Sequence, residues 1–122
     1  MDGKRILIVD DDPDIRLLID FHMSTEGYEV LEASDGKEAL DILKDNHVDI
    51  IITDLTMPNM DGYELIKVLR ESQDRSSIPI LLLTGKEEER VSREGMAYQP
   101  DDFLPKPFTK EELESKIIRL LS

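Results

Sequence analysis

The chain reads Arg5-Ile6-Leu7-Ile8-Val9-Asp10-Asp11-Asp12-Pro13 close to its start. Its uninterrupted apolar run is typical of a strand that is buried on both faces of a parallel sheet. Aspartates end that run, and Asp12 before Pro13 has the pattern of a helix N-cap followed by proline at the first helical position. The sequence therefore predicts a buried strand that passes directly into a helix.

The same strand-then-helix unit recurs along the whole chain. Strands are predicted over residues 5–9, 29–32, 49–53, 79–83 and 102–104. The segments between them carry apolar residues at helical spacing, apart from a weakly apolar fourth helix over residues 86–94, which we expect to be short and mobile. Strands and helices that alternate with short connections predict one α/β domain over residues 1–122, a parallel sheet doubly wound by helices on both faces.

Helix starts and apolar faces can be predicted at individual residues. N-terminal caps are expected for the pairs Asp35 with Glu38, Asp61 with Glu64, and Thr109 with Glu112. The first helix is marked by Ile15, Leu18, Ile19 and Phe21-His22-Met23, and its apolar side is predicted to contain positions 15, 18, 19 and 22. We expect His22 and His47 to be structural, because a phosphotransfer histidine requires an exposed position on a helical bundle.

Composition excludes several classes of protein. The chain has 122 residues, 39% of them apolar, which is enough for one folded core. It has no cysteine, and no apolar run approaches the length needed to cross a bilayer or to form a secretory signal, so we expect a cytoplasmic protein. The formal net charge of −13 makes direct binding to nucleic acid improbable on electrostatic grounds.

Polar residues follow the predicted strands where each one ends. They are Asp10 and Asp11, Asp54, Thr84, and Lys106. Because the carboxyl ends of parallel strands form the ligand-binding crevice of such a sheet, these side chains are expected to converge. Carboxylate ligands without cysteine suit Mg²⁺ or Mn²⁺, and an aspartate beside a metal and an ammonium can act as a nucleophile toward phosphorus. Each residue also has a plain interpretation: an acidic turn, a β-branched threonine in a strand, or a surface lysine.

Taken together, these motifs resemble the receiver domain of bacterial two-component response regulators, of the CheY-like kind, over essentially the whole chain. The matching segments are Ile6-Leu7-Ile8-Val9-Asp10-Asp11, Asp54 with Met57-Pro58 and Met60-Asp61-Gly62, Thr84, and Asp102-Phe103-Leu104-Pro105-Lys106-Pro107-Phe108. The resemblance implies a flavodoxin-like (βα)₅ sandwich with strand order 2-1-3-4-5.

The resemblance also implies a function. Asp54 would accept a phosphoryl group from a histidine kinase or a phosphotransfer protein, and Thr84 and Lys106 would bind the phosphoryl oxygens. The implied Mg²⁺ ligands are the carboxylates of Asp10, Asp11 and Asp54 and the backbone carbonyl of Thr56. Thr84 and Phe103 would switch a surface made of the fourth helix, the fifth strand and the last helix for a downstream effector. Such a domain catalyses its own phosphorylation and the hydrolysis of its own phosphoryl group. It has no turnover substrate, so we do not expect this protein to be an enzyme. It would be a monomer or a dimer that forms on phosphorylation.

The chain departs from the family pattern at a few positions. Phe103 lacks the hydroxyl of the tyrosine often found there, so its switching must depend on packing alone. The stretch Ala97-Tyr98-Gln99-Pro100 stands where the family usually has Gly-Ala. Pro100 has no backbone donor, which puts the geometry of the face between the fourth helix and the fifth strand in doubt, but not the phosphorylation site. Thr56 and Lys86 occupy positions that tune dephosphorylation in the family.

Two other functions compete with this interpretation. A Mg²⁺-dependent phosphohydrolase would use Asp10 as nucleophile and Asp12 as second acid, but it would leave Asp54 unexplained and the chain has no room for a cap domain. A scaffold receiver that never turns over phosphate usually lacks one of the acids, the threonine or the lysine, and all of these are present here.

Overall fold

The structure is a computed structural model that describes residues 3–85 and 96–122. Its strands are β1 (Arg5–Val9), β2 (Glu29–Ala33), β3 (Ile50–Asp54), β4 (Ile80–Thr84) and β5 (Asp102–Pro105). Its helices are α1 (Pro13–Ser24), α2 (Gly36–Asp45), α3 (Gly62–Glu71) and α4 (Lys110–Leu121). The predicted helix over residues 86–94, with Lys86, lies outside the described residues.

All five strands are parallel and lie in the order β2-β1-β3-β4-β5. This order confirms the doubly wound, flavodoxin-like arrangement. β3 is central, and it extends one residue further than predicted, because Asp54 pairs with Leu83 of β4. β4 likewise ends at Thr84, which pairs with Pro105 of β5. Both polar residues are thus the last members of their strands.

The sheet is covered on both faces. α2 and α3 pack on the face that contains Leu7 and Ile51. α1 and α4 pack on the face that contains Ile8 and Ile52. Side chains alternate between the two faces of a strand, so strands buried on both sides need continuous apolar runs, and these are the runs seen in the sequence.

The apolar side of α1 differs from the prediction. Ile19 and Met23 are fully buried, whereas Leu18 is 42% and Phe21 64% exposed. His22 is half-buried. The buried residues are spaced four apart, so they form one stripe toward the sheet, and Leu18 and Phe21 lie outside that stripe.

The predicted caps are present, with one change of partner. Asp61 with Glu64 and Thr109 with Glu112 form reciprocal capping boxes. Asp35 accepts a hydrogen bond from the Glu38 amide, but the Glu38 carboxylate accepts from the Ser34 amide at 3.0 Å instead of returning to Asp35. None of the described helices is long and apolar enough to cross a membrane.

Candidate functional site

Three carboxylates meet at the carboxyl edge of the sheet. Asp10 and Asp11 follow β1, and Asp54 ends the neighbouring strand β3. One oxygen from each carboxylate lies within 4.8 Å of the others. Asp10 is buried, Asp54 is half-buried and Asp11 is exposed, so the cluster opens to solvent on one side. The structure thus brings these three carboxylates together, as the sequence predicts.

Asp10 is the most constrained member of the cluster. Its Oδ1 accepts a hydrogen bond from the Asp12 amide at 2.9 Å. Burial raises the pKa of the Asp10 carboxyl, and the nearby charges of Asp54 and Asp11 raise it further, against the opposing effects of the Asp12 amide and Lys106. A cation at this cluster would therefore relieve a real electrostatic cost.

The donor set fits a hard divalent cation. Asp10 Oδ2 is buried and has no hydrogen-bond partner among the described residues, which is unusual for a buried carboxylate oxygen. All the side-chain donors of the cluster are oxygens, the ligands that Mg²⁺ prefers. Thr56, whose carbonyl is the predicted fourth ligand, is exposed in the loop that follows β3.

Lys106 supplies the positive charge next to the cluster. Its Nζ donates to Asp54 Oδ1 at 3.0 Å and lies 3.5 Å from Asp10 Oδ2. Burial acts to lower the pKa of Lys106, but the hydrogen bond to Asp54 and the charges of Asp10 and Asp54 outweigh it and raise the pKa. The Lys106 amide donates to the Thr84 carbonyl at 2.6 Å, and the following Lys106-Pro107 peptide is cis. The backbone of Lys106 is thus fixed to β4, and its ammonium is held by the carboxylate that ends β3 and by the one that follows β1.

Thr84 and Phe103 are buried residues of the neighbouring strands β4 and β5. Thr84 is 1% exposed, and its Oγ1 has no hydrogen-bond partner within the described part of the chain. Phe103 is 3% exposed and packs in the same apolar cluster as Leu82, its register partner on β4. The structure therefore holds an unpartnered hydroxyl next to the acidic cluster and an aromatic ring turned into the core.

The loop from β3 to α3 is braced by Gly62, to which the sequence analysis gave no structural role, and by Asn59, which it missed. A Cβ at Gly62 would lie 2.5 Å from the Asp54 carbonyl oxygen, so only glycine permits this approach of α3. Asn59 has φ of 65°, and its Nδ2 donates to Asp35 Oδ2 at 2.8 Å. The dipeptide Pro58-Asn59, shortly before Gly62, is a turn signal in the sequence that could have identified this contact.

Arg16 is a second residue that the sequence did not single out. From the first turns of α1, its Nη1 donates to the Asp10 carbonyl at 2.5 Å, and its Nε lies 3.3 Å from Glu32 Oε1. An arginine in an amphipathic helix has many unremarkable interpretations, so no local pattern pointed to this contact.

Asp12, the second acid of the phosphohydrolase alternative, caps α1 by accepting from the Asp14 amide at 2.9 Å. The candidate nucleophile of that alternative, Asp10, is buried with a raised pKa. Neither arrangement favours hydrolase chemistry.

The segment with Gln99 and Pro100 is held in place despite its unusual sequence. Pro100 is buried, and the Gln99 carbonyl accepts from Arg70 at 3.4 Å. Arg70 also pairs with Asp101 at 2.6 Å, and Asp101 accepts from the Ile80 amide. The missing amide of Pro100 is therefore compensated by contacts on either side of it.

His47 is exposed, and its Nε2 lies 3.2 Å from Asp49 Oδ1, in the turn before β3. This turn joins the opposite edge of the sheet from the acidic cluster, so the histidine takes no part in the site.

Comparison with protein families matches residues 6–118 to the response regulator receiver domain. Among curated proteins, the probable transcriptional regulator ycf27 of Porphyridium aerugineum is 37% identical over 121 residues, covering 99% of this chain and 49% of that protein. The alkaline phosphatase synthesis transcriptional regulatory protein PhoP of Bacillus subtilis is 38% identical, covering 98% of this chain and 49% of its own length. The chain thus spans about half the length of these relatives.

Solved structures agree in fold over nearly the whole chain. The chemotaxis response regulator CheY4 of Vibrio cholerae has a TM-score of 0.90 and 36% identity, covering 97% of this chain and 98% of that one. The response regulator TrrA of Thermotoga maritima, solved with Mg²⁺ and BeF, has a TM-score of 0.83 and 35% identity, covering 97% of this chain and 99% of that one.

Proposed function

The chain belongs to the response-regulator receiver family of two-component systems, and on this premise we propose that Asp54 accepts a phosphoryl group from a histidine kinase or a phosphotransfer protein. The observation that supports this most is the setting of Asp54 at the end of the central strand. Lys106 Nζ lies 3.0 Å from it, and the carboxylates of Asp10 and Asp11 lie beside it. A receiver domain is a phosphoacceptor switch rather than an enzyme with a turnover substrate.

In the proposed transfer, a carboxylate oxygen of Asp54 bonds to phosphorus while the phosphorus–nitrogen bond to the donor imidazole breaks. The imidazole leaves with the bonding pair and takes up a proton. Lys106 offsets negative charge on the phosphoryl oxygens. Mg²⁺, held by Asp10, Asp11, Asp54 and the Thr56 carbonyl, would add further neutralisation of that charge. Mn²⁺ shares this preference for oxygen ligands and is proposed as a substitute.

The proposed switch uses the unpartnered hydroxyl of Thr84. Once Asp54 carries a phosphoryl group, the Thr84 hydroxyl donates to one of its oxygens, and the packing of Phe103 follows that movement. This shifts a two-state equilibrium at the surface made by β5 and α4, together with the predicted helix over residues 86–94, for a downstream effector. The Lys116–Asp102 ion pair of 3.0 Å, which joins α4 to β5, lies on this surface.

Several finer properties belong to the same proposal. We expect phosphorylation from small phosphodonors, self-catalysed hydrolysis, a cytoplasmic location and one receiver domain over residues 1–122. A monomer and a phosphorylation-dependent dimer are the two alternatives for oligomeric state, and light scattering before and after phosphorylation decides between them.

The test is intact mass after incubation with acetyl phosphate, with Mg²⁺ or with EDTA. The wild type is expected to gain one phosphoryl group only with Mg²⁺, because the carboxylates must be neutralised before an anion can approach. Asp54→Asn is expected to gain none. Hydroxylamine should remove the adduct, as it does from acyl phosphates.

Asp12→Asn is the matched control, since Asp12 is a neighbouring carboxylate and asparagine caps helices equally well. It should be phosphorylated like the wild type. An adduct that persists in Asp54→Asn would overturn the assignment of the phosphoacceptor. Steady release of inorganic phosphate that requires Asp12 would instead favour the phosphohydrolase.

A further inference from the structure

Arg16 of α1 contacts the backbone that carries the acidic cluster, through a hydrogen bond to the Asp10 carbonyl. We propose that Arg16 is a positioning residue for divalent-cation binding, because it holds the peptide group that joins Asp10 to Asp11. The inference rests on the proposed function, in which those two carboxylates hold Mg²⁺.

The contact is made by a largely buried side chain. Arg16 is 20% exposed, and it extends from α1 across the end of β1 to Glu32 on β2. Nη1 donates to the Asp10 carbonyl at 2.5 Å and Nε donates to Glu32 Oε1 at 3.3 Å. A planar guanidinium bound at two points has little freedom to turn. Arg16 thus connects the metal-site backbone to the adjacent strand.

The carbonyl that Arg16 binds belongs to the peptide group that joins Asp10 to Asp11. The Asp10 carbonyl and the Asp11 amide form one planar unit, so fixing the oxygen fixes the direction in which Asp11 leaves β1. The Asp10 side chain is fixed separately by the Asp12 amide. Asp11 is exposed, and its carboxylate takes its direction from the backbone. Arg16 therefore sets where the Asp11 carboxylate stands relative to that of Asp10.

Glu32 holds Arg16 in this orientation. Burial raises the pKa of Glu32, as does a hydrogen bond with Asp20, while Arg16 opposes both effects. Asp20 in turn accepts from the Ser24 hydroxyl at 2.6 Å. The guanidinium is bound on one side by the Glu32 carboxylate of β2 and on the other by the Asp10 carbonyl, which follows β1.

Charge and positioning predict effects of opposite sign, which makes the proposal testable. Loss of a cation near the cluster would, by Coulomb's law alone, strengthen the binding of Mg²⁺. Loss of a positioning residue would weaken it, because outer contacts that orient metal ligands typically carry about 10–100-fold in metal affinity.

The experiment measures the Mg²⁺ dissociation constant of the unphosphorylated chain from amide chemical shifts, together with thermal stability in EDTA. The variants are Arg16→Met, Arg16→Lys and Glu32→Gln. Arg5→Met is the matched control, since Arg5 also joins a β2 carboxylate, Glu29, to a backbone carbonyl, that of His47, but at the opposite end of β1.

We expect Arg16→Met to raise the dissociation constant about tenfold. Arg16→Lys retains the charge but not the two-point contact, so about a threefold rise is expected, and Glu32→Gln should resemble it. Arg5→Met should change the constant by less than about twofold while lowering stability, because its contacts lie far from the cluster.

Unchanged or tighter binding in a folded Arg16→Met would overturn the proposal, as would an equal loss in Arg5→Met. If Arg16→Met fails to fold, Arg16→Lys and Glu32→Gln decide by the same criterion. Failure of the proposed function would look different, since the wild type itself would then bind no Mg²⁺ or gain no phosphoryl group on Asp54.

Discussion

At the scale of single residues, the ionised carboxyl of Asp10 lowers the stability of the folded chain. This carboxyl is buried beside Asp11 and Asp54, and its pKa is raised by burial and by those charges. A carboxylate with a raised pKa is less stable ionised in the folded chain than in the unfolded chain, so at neutral pH it opposes folding. A divalent cation bound by these carboxylates would offset this cost.

Asp10→Asn should therefore stabilise the protein in EDTA at neutral pH. Repulsion between like charges at this distance amounts to a few kcal/mol before the attraction to Lys106 is subtracted, and we expect a net gain of about 1 kcal/mol. In a domain of this size, such a gain in stability raises the Tm by about 3–5 °C. The measurement is thermal unfolding by circular dichroism, with and without Mg²⁺.

Mg²⁺ is expected to raise the Tm of the wild type, and the same substitution should abolish that rise, because a ligand stabilises only the state that binds it. Asp12→Asn is the control and should leave both quantities unchanged, since asparagine replaces aspartate as a cap. A lower Tm for Asp10→Asn in EDTA would show that repulsion at this residue does not oppose folding.

At the scale of elements, α2 and α3 begin in the same way, each with an aspartate cap followed by a glycine. The two glycines have different surroundings. A Cβ at Gly62 would meet backbone, the Asp54 carbonyl oxygen at 2.5 Å and Leu55 Cα at 3.0 Å. A Cβ at Gly36 would meet the side chain of Met60, with Cγ nearest at 2.6 Å. Backbone cannot move aside as a side chain can.

Gly62→Ala should consequently lower the free energy of unfolding by about 1–3 kcal/mol, the usual cost of overpacking. Gly36→Ala should cost less than about 1 kcal/mol, because rotation of Met60 relieves part of the contact. Urea unfolding of both variants measures the difference.

Gly62→Ala should also slow the formation of the acetyl phosphate adduct, since α3 would push on the end of β3 that carries Asp54. Gly36→Ala should leave that rate within about twofold of the wild type. Equal losses of stability in the two variants would contradict the assignment of Gly62 as the closer contact.

At the scale of the whole molecule, two groups of carboxylates change the folding stability in opposite directions as the pH falls. Asp35 and Asp49 have lowered pKa values: Asp35 through the Glu38 amide and Asn59, and Asp49 because the Arg5 amide and His47 outweigh its burial. Their stabilisation is present above the unfolded pKa of 3.8 and is lost as the pH falls through their folded values. Asp10 and Glu32 have raised pKa values, chiefly through burial, and so stability is gained as they become protonated.

Stability in EDTA should therefore rise as the pH falls from 7 toward about 5, and then decrease below about 4. The net charge of −13 acts in the same direction at first, because protonation reduces self-repulsion. Urea unfolding across this range at constant ionic strength tests the curve. In Asp10→Asn the rise between pH 7 and 5 should be smaller, whereas a steady fall from pH 7 in the wild type would refute the expectation.

Much of this protein follows from the order of its residues. Continuous runs such as Ile50-Ile51-Ile52 can be satisfied only by strands covered on both faces, and alternation with helices then requires a parallel, doubly wound sheet. Residues that end such strands or directly follow them, such as Asp10, Asp54 and Thr84, must meet at one edge. Local chemistry also predicted the caps at Asp12, Asp61 and Thr109.

Other features were decided only by the packed structure. The exposure of Leu18 and Phe21 depends on how α1 is rotated against the sheet. The requirement for glycine at position 62 depends on how closely α3 approaches β3. The contact of Arg16 with the Asp10 carbonyl depends on the path of the Arg16 side chain across two strands. The reason is physical. Periodicity and capping act within about one helical turn of the chain, whereas these features arise from close packing between segments whose relative position no local interaction determines.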